Sequence, residues 1–335
     1  MKAAQIKEAG SPFEIVDLPI PEPAENQVLI RVEACGICHS DAMVKDGLFP
    51  GIAYPRVPGH EVVGIIEKAG TRVEQWKKGE RVGVGWHGGH CFRCDACRDG
   101  DFINCENAQV AGISYDGGYA EYMTAPEEAL ARVPEDLASQ DAAPLLCAGI
   151  TTFNALRNSG ARPGDLVAVQ GVGGLGHLAV QYAAKMGFKT VAISTSDDKK
   201  ELAEQLGAHA FINAKKDNAV AALQQMGGAR VIIATAPNTD IIGEIVGGLG
   251  LEGHLMVLAA TGETFDVSPF SLIMGRKKVS GWPSGTAKDS EDTLNFSSLT
   301  NTRPMIETFP LEEAAKAYDH MINNRSRFRT VLKIS

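Results

Sequence analysis

The pattern of apolar and polar positions divides the chain into two parts. Over about the first 130 residues, short alternating segments such as 27–32 are separated by Pro and Gly, which is typical of strands joined by turns. From about Ala148 an apolar run, a turn and a stretch with helical spacing recur several times. Strands are predicted at 165–170, 190–194, 210–212, 231–235 and 255–259, and helices at 178–186, 199–206 and 219–226. Repeated βα units predict a parallel sheet covered by helices on both faces.

The change of pattern predicts an α/β protein of two domains. A chain of 335 residues is about twice the usual length of one domain. We expect a β-rich domain over residues 1–147 and a doubly wound, dinucleotide-binding domain over 148–284. Residues 285–335 are expected to return to the first domain, with a helix at 311–323 and a strand at 329–334.

Composition argues against several classes of partner. With 32 Lys and Arg against 41 Asp and Glu, the formal charge is −9, which disfavours binding to nucleic acid or to an anionic membrane. No apolar run approaches the roughly 18 residues that span a bilayer, and the first residues lack the apolar run of a signal peptide. A cytoplasmic protein with no membrane partner is expected.

Four of the seven cysteines form a C-x2-C-x2-C-x7-C run inside the segment 85–110. They are Cys91, Cys94, Cys97 and Cys105. Four thiolates this close in sequence predict a closed, structural zinc site. An iron–sulfur cluster and two disulfides are the alternatives, although the compartment and the lack of a final Cys-Pro disfavour them. His87 and His90 flank the run, but four cysteines already complete a tetrahedron, so both are interpreted as polar loop residues.

The other three cysteines are Cys35, Cys38 and Cys147. Cys35 and Cys38 form a C-x-x-C, but the mainly β context disfavours a redox pair. His60 stands next to Glu61 at the start of a predicted strand, where a packed core does not favour either residue. Cys38, His60 and Cys147 together would form a Cys2His set with one open position, the arrangement in which zinc acts as a Lewis acid.

A glycine turn at 171–176 follows a predicted strand and opens a predicted helix. This context predicts dinucleotide binding, because the glycines let a pyrophosphate approach the helix N-terminus. The candidate binding residues are Gly171, Gly173, Gly174, Leu175 and Gly176.

The end of the next predicted strand bears on the choice of coenzyme. Ser194 stands where an NAD-binding chain has an Asp or Glu for the ribose hydroxyls. Thr195 and Ser196 add hydroxyl donors and Lys199 adds a positive charge, which favours the 2′-phosphate of NADP(H) over NAD(H). Two alternatives remain: the Ser-Thr-Ser segment caps the following helix, or one of the acids at 197 and 198 binds the ribose.

Five motifs occur here in the order of the zinc-dependent medium-chain alcohol dehydrogenases, which the chain resembles over essentially its whole length. They are the segment 35–41, Gly59-His60-Glu61, the four-cysteine run, the segment 144–149 and the glycine turn. The resemblance implies a GroES-like catalytic domain and a Rossmann domain. The coenzyme segment resembles that of the NADP-preferring cinnamyl-alcohol-dehydrogenase branch.

The resemblance also implies roles for single residues. Cys38, His60 and Cys147 would hold a catalytic zinc, and Glu61 is similar to the carboxylate that ligates when substrate or water leaves. Ser40 resembles the residue that bonds the substrate hydroxyl and starts proton transfer, with helix capping as its alternative. The remaining assignments are coenzyme contacts for His39, Thr151 and Arg329, and a pocket wall for Trp86. Arg329 is alternatively part of a basic surface run.

The implied reaction is reversible hydride transfer between NADP(H) and a primary, benzylic or allylic alcohol or its aldehyde, with two zinc ions per chain. Many relatives have a relay histidine where this chain has Met43, so the last proton step is open. A role of Trp282 in the pocket is open as well. The rivals are an NAD-linked alcohol, polyol or formaldehyde-type dehydrogenase and a catalytically silent NADPH-binding zinc protein. Family members are often homodimers or homotetramers.

Overall fold

The computed structural model describes all residues from 1 to 335, and the chain forms two compact units. One unit comprises residues 1–150 and 284–335, and the other comprises residues 151–283. The boundaries expected from the sequence were 147 and 284. The first division falls inside a helix, where the periodicity of the sequence does not change.

The structure contains strands and α-helices with the following bounds. The strands are β1 (Lys2–Ile6), β2 (Phe13–Asp17), β3 (Gln27–Ile37), β4 (Val62–Ala69), β5 (Arg81–Val84), β6 (His87–Gly89), β7 (Gln109–Val110), β8 (Tyr122–Pro126), β9 (Leu130–Arg132), β10 (Leu166–Gln170), β11 (Lys189–Ser194), β12 (Ala210–Asn213), β13 (Ala229–Ala234), β14 (Leu249–Val257), β15 (Lys278–Gly281), β16 (Ile306–Pro310) and β17 (Arg329–Lys333). The helices are α1 (Ser40–Lys45), α2 (Asp95–Arg98), α3 (Ser139–Ala142), α4 (Ala148–Asn158), α5 (Gly176–Lys185), α6 (Lys200–Gln205), α7 (Ala219–Gln225), α8 (Thr239–Ile245), α9 (Pro269–Ile273), α10 (Ala287–Thr300) and α11 (Ala314–Ile322).

The unit of residues 1–150 and 284–335 is built on a mixed sheet in the order β16-β17-β3-β4-β5-β9, with β8 also paired to β3. β3 is its central strand and pairs antiparallel with β17, β4 and β8. Apolar residues at alternate positions of β3, namely Val28, Ile30 and Val32, are buried in the core of this unit. The end of β3, the start of β4 and the start of β17 carry the residues of the site described below.

The unit of residues 151–283 is a six-stranded parallel sheet in the order β12-β11-β10-β13-β14-β15. Every residue of β10 is buried, as expected for a parallel strand covered on both faces. The strand order reverses between β10 and β13, and ligands of doubly wound sheets bind at such a switch point, beyond the carboxyl ends of the strands. The predicted parallel sheet with helical connections is confirmed.

The predicted elements differ from the structure mainly at their ends. β14 begins at Leu249, well before the predicted strand at 255–259, because pairing with β13 continues past glycines that interrupt the apolar pattern. The predicted helix at 311–323 is a 3-10 turn, Leu311–Glu313, followed by α11. None of the helices is both long and apolar enough to cross a bilayer.

Candidate active site

The four residues of the predicted open metal site lie at the ends of secondary-structure elements and come close together in space. Cys38 follows β3 directly, His60 and Glu61 directly precede β4, and Cys147 lies between a 3-10 turn and α4. One ligand atom from each of these four residues lies within 4.8 Å of the others. The Sγ atoms of Cys38 and Cys147 are 3.8 Å apart although the residues are 109 positions apart in the chain.

The imidazole of His60 is oriented by a carboxylate that the sequence analysis did not single out. Nδ1 of His60 lies 3.2 Å from Oδ1 of Asp41, and the side chain of Asp41 is 0% exposed. Oδ2 of Asp41 accepts hydrogen bonds of 2.8 Å from the backbone N–H of Cys38 and from the Tyr119 hydroxyl. A carboxylate behind a histidine fixes its tautomer and makes its other nitrogen a stronger ligand. Asp41 is therefore part of the site.

The chemistry of the donor set fits a zinc ion. Nε2 of His60 is buried and has no hydrogen-bond partner, although buried polar atoms are ordinarily paired. It lies among two thiols and a carboxylate, which are the donor types that zinc prefers. Cys38, His60 and Cys147 are thus available as ligands.

The ionisation of these donors is consistent with metal binding. The hydrogen bond from Cys147 lowers the pKa of the Cys38 thiol well below its usual value, against the opposing effect of burial. Burial would lower the pKa of His60, but Asp41 and Cys38 outweigh it and raise this pKa well above its usual value. Because a histidine must be neutral to ligate, metal binding here is expected to release a proton.

Glu61 and Arg329 form a buried ion pair beside the ligand atoms. Their side chains are 0% and 4% exposed, and a nitrogen of Arg329 donates to Oε1 of Glu61. Burial raises the pKa of the Glu61 carboxyl to about 7, although the Arg329 guanidinium opposes the shift. Oε2 of Glu61 has no partner. Arg329 therefore lies in the core and not on the basic surface that was its alternative, and its coenzyme contact stays a prediction.

An aromatic side chain packs on the ring of His60, and a second aromatic ring packs on the first. The ring of Trp86 meets the His60 ring edge-on with centroids 5.0 Å apart, and Phe49 meets Trp86 edge-on at 6.3 Å. Phe49 was not predicted, because a single aromatic residue in a loop carries no sequence signal for a pocket. This arrangement supports the prediction of Trp86 as a wall of the substrate pocket.

The hydroxyl of Ser40 lies near the same centre. Its Oγ is 3.7 Å from Sγ of Cys38, and Ser40 is the first residue of α1, whereas His39 is the N-cap and makes no side-chain capping bond. The alternative role of Ser40 as a helix cap is therefore not observed. Met43, on the same helix, is only partly buried. His39 is exposed and Thr151, on α4, is partly buried.

The four-cysteine run folds into a second cluster of thiols. The Sγ atoms of Cys91, Cys94, Cys97 and Cys105 lie within 4.8 Å of one another. Backbone N–H groups point at the sulfurs: Cys91 N lies 3.3 Å from Sγ of Cys105, and Cys94 N lies 3.4 Å from Sγ of Cys91. The N–H groups of Arg93 and Cys94 lower the pKa of Cys91 to about 6, which favours its thiolate. The set fits a structural zinc with no open position.

The two histidines beside this run are not part of the cluster. Nε2 of His87 lies 2.9 Å from Nδ1 of His90, and the ring of His90 stacks on Phe102 with centroids 4.1 Å apart. Burial lowers the pKa of His87 to about 4. The pair is therefore neutral and packed within the loop.

The glycine turn connects β10 to α5. Gly171 has φ +91°, which favours glycine, and a Cβ at Gly176 would lie 1.8 Å from the carbonyl oxygen of Gly171. A Cβ at Gly173 would meet nothing within 4 Å, so open space remains above the turn. The Thr235 hydroxyl donates to the Gly171 carbonyl at 3.0 Å and holds the turn. Tight turn, open approach and close helix contact are the three features that a pyrophosphate site requires.

The end of β11 presents hydroxyls and no acid. Ser194 is its last residue and is buried, while Thr195 and Ser196 are exposed. Ser196 is the N-cap of the 3-10 turn Asp197–Lys199 but makes no side-chain capping bond. Asp197 already pairs with Lys216 and accepts a 2.6 Å bond from Nδ2 of Asn213. The capping alternative is therefore weakened, since no side-chain cap is seen, and Asp197 is engaged elsewhere, whereas Asp198 stays open as the ribose acid.

Comparison with known proteins identifies both units. Residues 24–135 match the family described as "Alcohol dehydrogenase GroES-like domain", and residues 174–298 match "Zinc-binding dehydrogenase". Alcohol dehydrogenase patD of Penicillium expansum is 44% identical over 331 residues, which cover 99% of this chain and 97% of that protein.

Two solved structures are similar over their full length. The CAD from Helicobacter pylori complexed with NADP(H) has a TM-score of 0.88 and 28% identity, covering 99% of this chain and 97% of that chain. An NAD-dependent alcohol dehydrogenase has a TM-score of 0.92 and 26% identity, with 100% of both chains covered. Sequence, fold and the ordered donor groups agree, and the chain belongs to the zinc-binding medium-chain alcohol dehydrogenases, oxidoreductases with a GroES-like and a Rossmann domain.

Proposed function

We propose that the protein is a zinc-dependent alcohol dehydrogenase and aldehyde reductase that uses NADP(H) on primary, benzylic or allylic alcohols and aldehydes. The observation that carries the proposal is the unpartnered Nε2 of His60 among the thiols of Cys38 and Cys147. These three side chains would hold a zinc ion and leave a position open for a substrate, as in catalytic zinc sites. When bound, zinc supplies a Lewis acid for that oxygen, and NADP(H) supplies or accepts the hydride.

The side chains of the site have separate tasks in this reaction. Asp41 holds His60 in one tautomer, and Arg329 holds Glu61 close to the ligand atoms. Trp86 limits the space beside His60. Ser40 takes the proton from the alcohol hydroxyl, or returns it to the oxygen in aldehyde reduction. Because Met43 cannot titrate, water or the ribose hydroxyl carries the proton onward.

Ser40→Ala is expected to lower kcat for benzyl alcohol oxidation about 100-fold, because it removes the first proton carrier. Zinc content and the Kd of NADPH should stay at the native values, since Ser40 is not a ligand. Steady-state kinetics, zinc analysis and fluorescence titration test this together. A matched control is Ser11→Ala, a partly buried turn serine of the same unit whose hydroxyl donates to the Glu8 carbonyl oxygen. Native kcat in Ser40→Ala would refute the proton role.

The coenzyme proposal depends on the end of β11. Ser194 offers a hydroxyl and no charge, and Thr195 and Ser196 are exposed next to it. Lys199, in the following turn, supplies the positive charge that a 2′-phosphate favours. NAD(H) remains the second candidate, because one similar structure is of an NAD-dependent enzyme. Contacts of the coenzyme with the 171–176 turn, His39, Thr151 and Arg329 are part of the proposal.

The second proposed zinc is structural. Cys97→Ser is expected to lower the zinc content from about two to about one per chain and Tm by about 10 °C, because a closed four-cysteine site contributes folding free energy. Metal analysis and calorimetry measure both effects. Asp95→Ser changes an exposed residue of the same loop; it is the control and should keep both ions. A Cys97→Ser protein with native zinc content would contradict the assignment.

An oligomer is also proposed, either a homodimer or a homotetramer. β15 is the edge strand of the parallel sheet, and large apolar side chains of this unit are exposed at Leu251, Phe270, Ile273 and Met274. Exposed apolar groups of this size beside an open sheet edge favour self-association. Light scattering on the purified protein distinguishes the two states. The cytoplasmic location stays a prediction.

Aldehyde reduction by the zinc-replete protein tests the proposal as a whole. The panel runs from acetaldehyde to cinnamaldehyde, with NADPH compared to NADH at equal concentration. Turnover with a preference for NADPH is expected. Preference for NADH would support the NAD-linked alternative. No turnover in a protein that carries both zinc ions would support a catalytically silent NADPH-binding protein instead.

A further inference from the structure

The carboxylate of Glu61 occupies the space in which Gly36 would carry a side chain. A Cβ at Gly36 would lie 1.8 Å from Oε2 of Glu61 and 2.8 Å from its Cδ. Such distances do not occur between real atoms, so the carboxylate and any side chain at Gly36 exclude each other. The φ of Gly36 is not positive, and its backbone conformation is therefore open to alanine. Space, and not backbone freedom, is what requires glycine here.

The backbones on both sides of this space are held in place. The N–H of Gly36 donates to the carbonyl oxygen of Glu61 at 3.0 Å, and Cys35 pairs with Val62 in the antiparallel β3–β4 ladder. On its other side, Gly36 pairs with Val331 of β17, the strand that begins with Arg329. Only the side chain of Glu61 is therefore free to respond when atoms are added at Gly36.

Two features define the position of the Glu61 carboxylate: its ion pair with Arg329 and the space left by the missing side chain of Gly36. Oε1 pairs with Arg329, whereas Oε2 is buried without a partner and points over Gly36. In this position the carboxylate lies within 4.8 Å of the ligand atoms of Cys38, His60 and Cys147. Filling the void would force the carboxylate to leave Arg329 or to change its distance from these atoms.

We propose that Gly36 is a positioning residue of the catalytic centre: the lack of a side chain there creates the seat that holds the Glu61 carboxylate beside Arg329 and the zinc ligands. This inference rests on the proposed catalytic zinc site. The glycine of the C-x-x-C segment thereby has a role that neither the cysteine spacing nor turn geometry predicts.

Gly36→Ala in the full-length, zinc-loaded protein tests the proposal. Release of the catalytic zinc to a chromogenic chelator should be at least about tenfold faster, because outer-shell groups around a metal change its affinity by this order. kcat should fall by a similar factor. Zinc release from the four-cysteine cluster is the internal control and should not change.

A second background separates the seat from a general strain of the strand. In Glu61→Ala the carboxylate is absent and only the Cβ of residue 61, 3.0 Å from the added Cβ, remains, a contact that a shift of a few tenths of an ångström relieves. Adding Gly36→Ala in this background should therefore change the zinc release rate by less than about twofold. Gly64→Ala is the matched control in the same strand pair, because its Cβ would lie 2.3 Å from the Arg31 carbonyl oxygen and not near Glu61. It should lower Tm without speeding release of the catalytic zinc.

The outcomes divide cleanly. The proposal is contradicted if Gly36→Ala speeds release of the catalytic zinc equally in the native and the Glu61→Ala backgrounds. It is also contradicted if Gly64→Ala speeds this release as much as Gly36→Ala does. If Gly36→Ala alone does not fold, recovery of folding in the Gly36→Ala, Glu61→Ala protein supports it, and failure of both overturns it. A native protein without zinc at Cys38, His60 and Cys147 would refute the proposed function itself, which metal analysis shows independently.

Discussion

Cys38→Ser is expected to remove one of the two proposed zinc ions per chain and to lower kcat/KM for aldehyde reduction by at least about 1,000-fold. Changes in outer-shell partners already cost about 10- to 100-fold, and Cys38 contributes a ligand atom directly. The Cys38 thiol also has the lowered pKa that favours its thiolate, a form that serine does not offer at neutral pH. Metal analysis and steady-state kinetics on the same preparation measure both effects.

The chain offers a matched control at Cys35, three positions before Cys38. Cys35 is buried like Cys38, but its Sγ contacts the Gly36 carbonyl oxygen at 3.6 Å and is not in the ligand group. Cys35→Ser should therefore keep both zinc ions and most of the activity. If Cys35→Ser lost zinc as Cys38→Ser does, the assignment of the ligands would be wrong.

Ser194→Asp is expected to shift the ratio of kcat/KM for NADPH over NADH toward NADH by about 100-fold. The new carboxylate would repel a 2′-phosphate and accept hydrogen bonds from the ribose hydroxyls of NAD(H), and a few kcal/mol is typical of charge-assisted contacts of this kind. Ser194 ends β11, the position of the ribose acid in NAD-binding sheets. Initial rates with both coenzymes at fixed aldehyde concentration give the ratio.

Gln205→Glu separates this effect from a general increase in negative charge. Gln205 is exposed near the end of α6 in the same unit, so the substitution adds the same charge away from the β11 end. Its coenzyme ratio should stay within about twofold of native at physiological salt, where exposed charges are strongly screened. An unchanged ratio in Ser194→Asp would mean that the end of β11 does not select the coenzyme.

Much of the fold was predictable because its signals are local. An apolar run such as β10 identifies a buried parallel strand, and the βα repeat identifies the sheet of residues 151–283. The four-cysteine cluster was predictable for the same reason, since its members lie within one short loop that can wrap an ion. The start of β14 and the start of α11 were predicted less accurately. Sheet pairing and 3-10 turns depend on contacts with other segments, which the local apolar pattern does not encode.

The open donor set was only partly predictable. The family motifs named Cys38, His60 and Cys147, but nothing in their spacing brings them together. Asp41 was passed over because acids are mostly exposed, and its burial makes sense only once His60 and Tyr119 are seen to contact it. An acid three residues after a predicted ligand is the signal that could have indicated it.

The sequence by itself determined which chemistries were available: seven cysteines in two groupings, a glycine turn after an apolar strand, and a serine in place of an acid. Each of these features lies within one short segment and can therefore be recognised from local sequence alone. Tertiary structure alone decided which residues meet. Glu61 and Arg329 pair across 268 positions, and Gly36 leaves the space that the Glu61 carboxylate fills. Such contacts arise because β3 pairs with both β4 and β17, and strand pairing over long distances is set by the packing of the whole sheet.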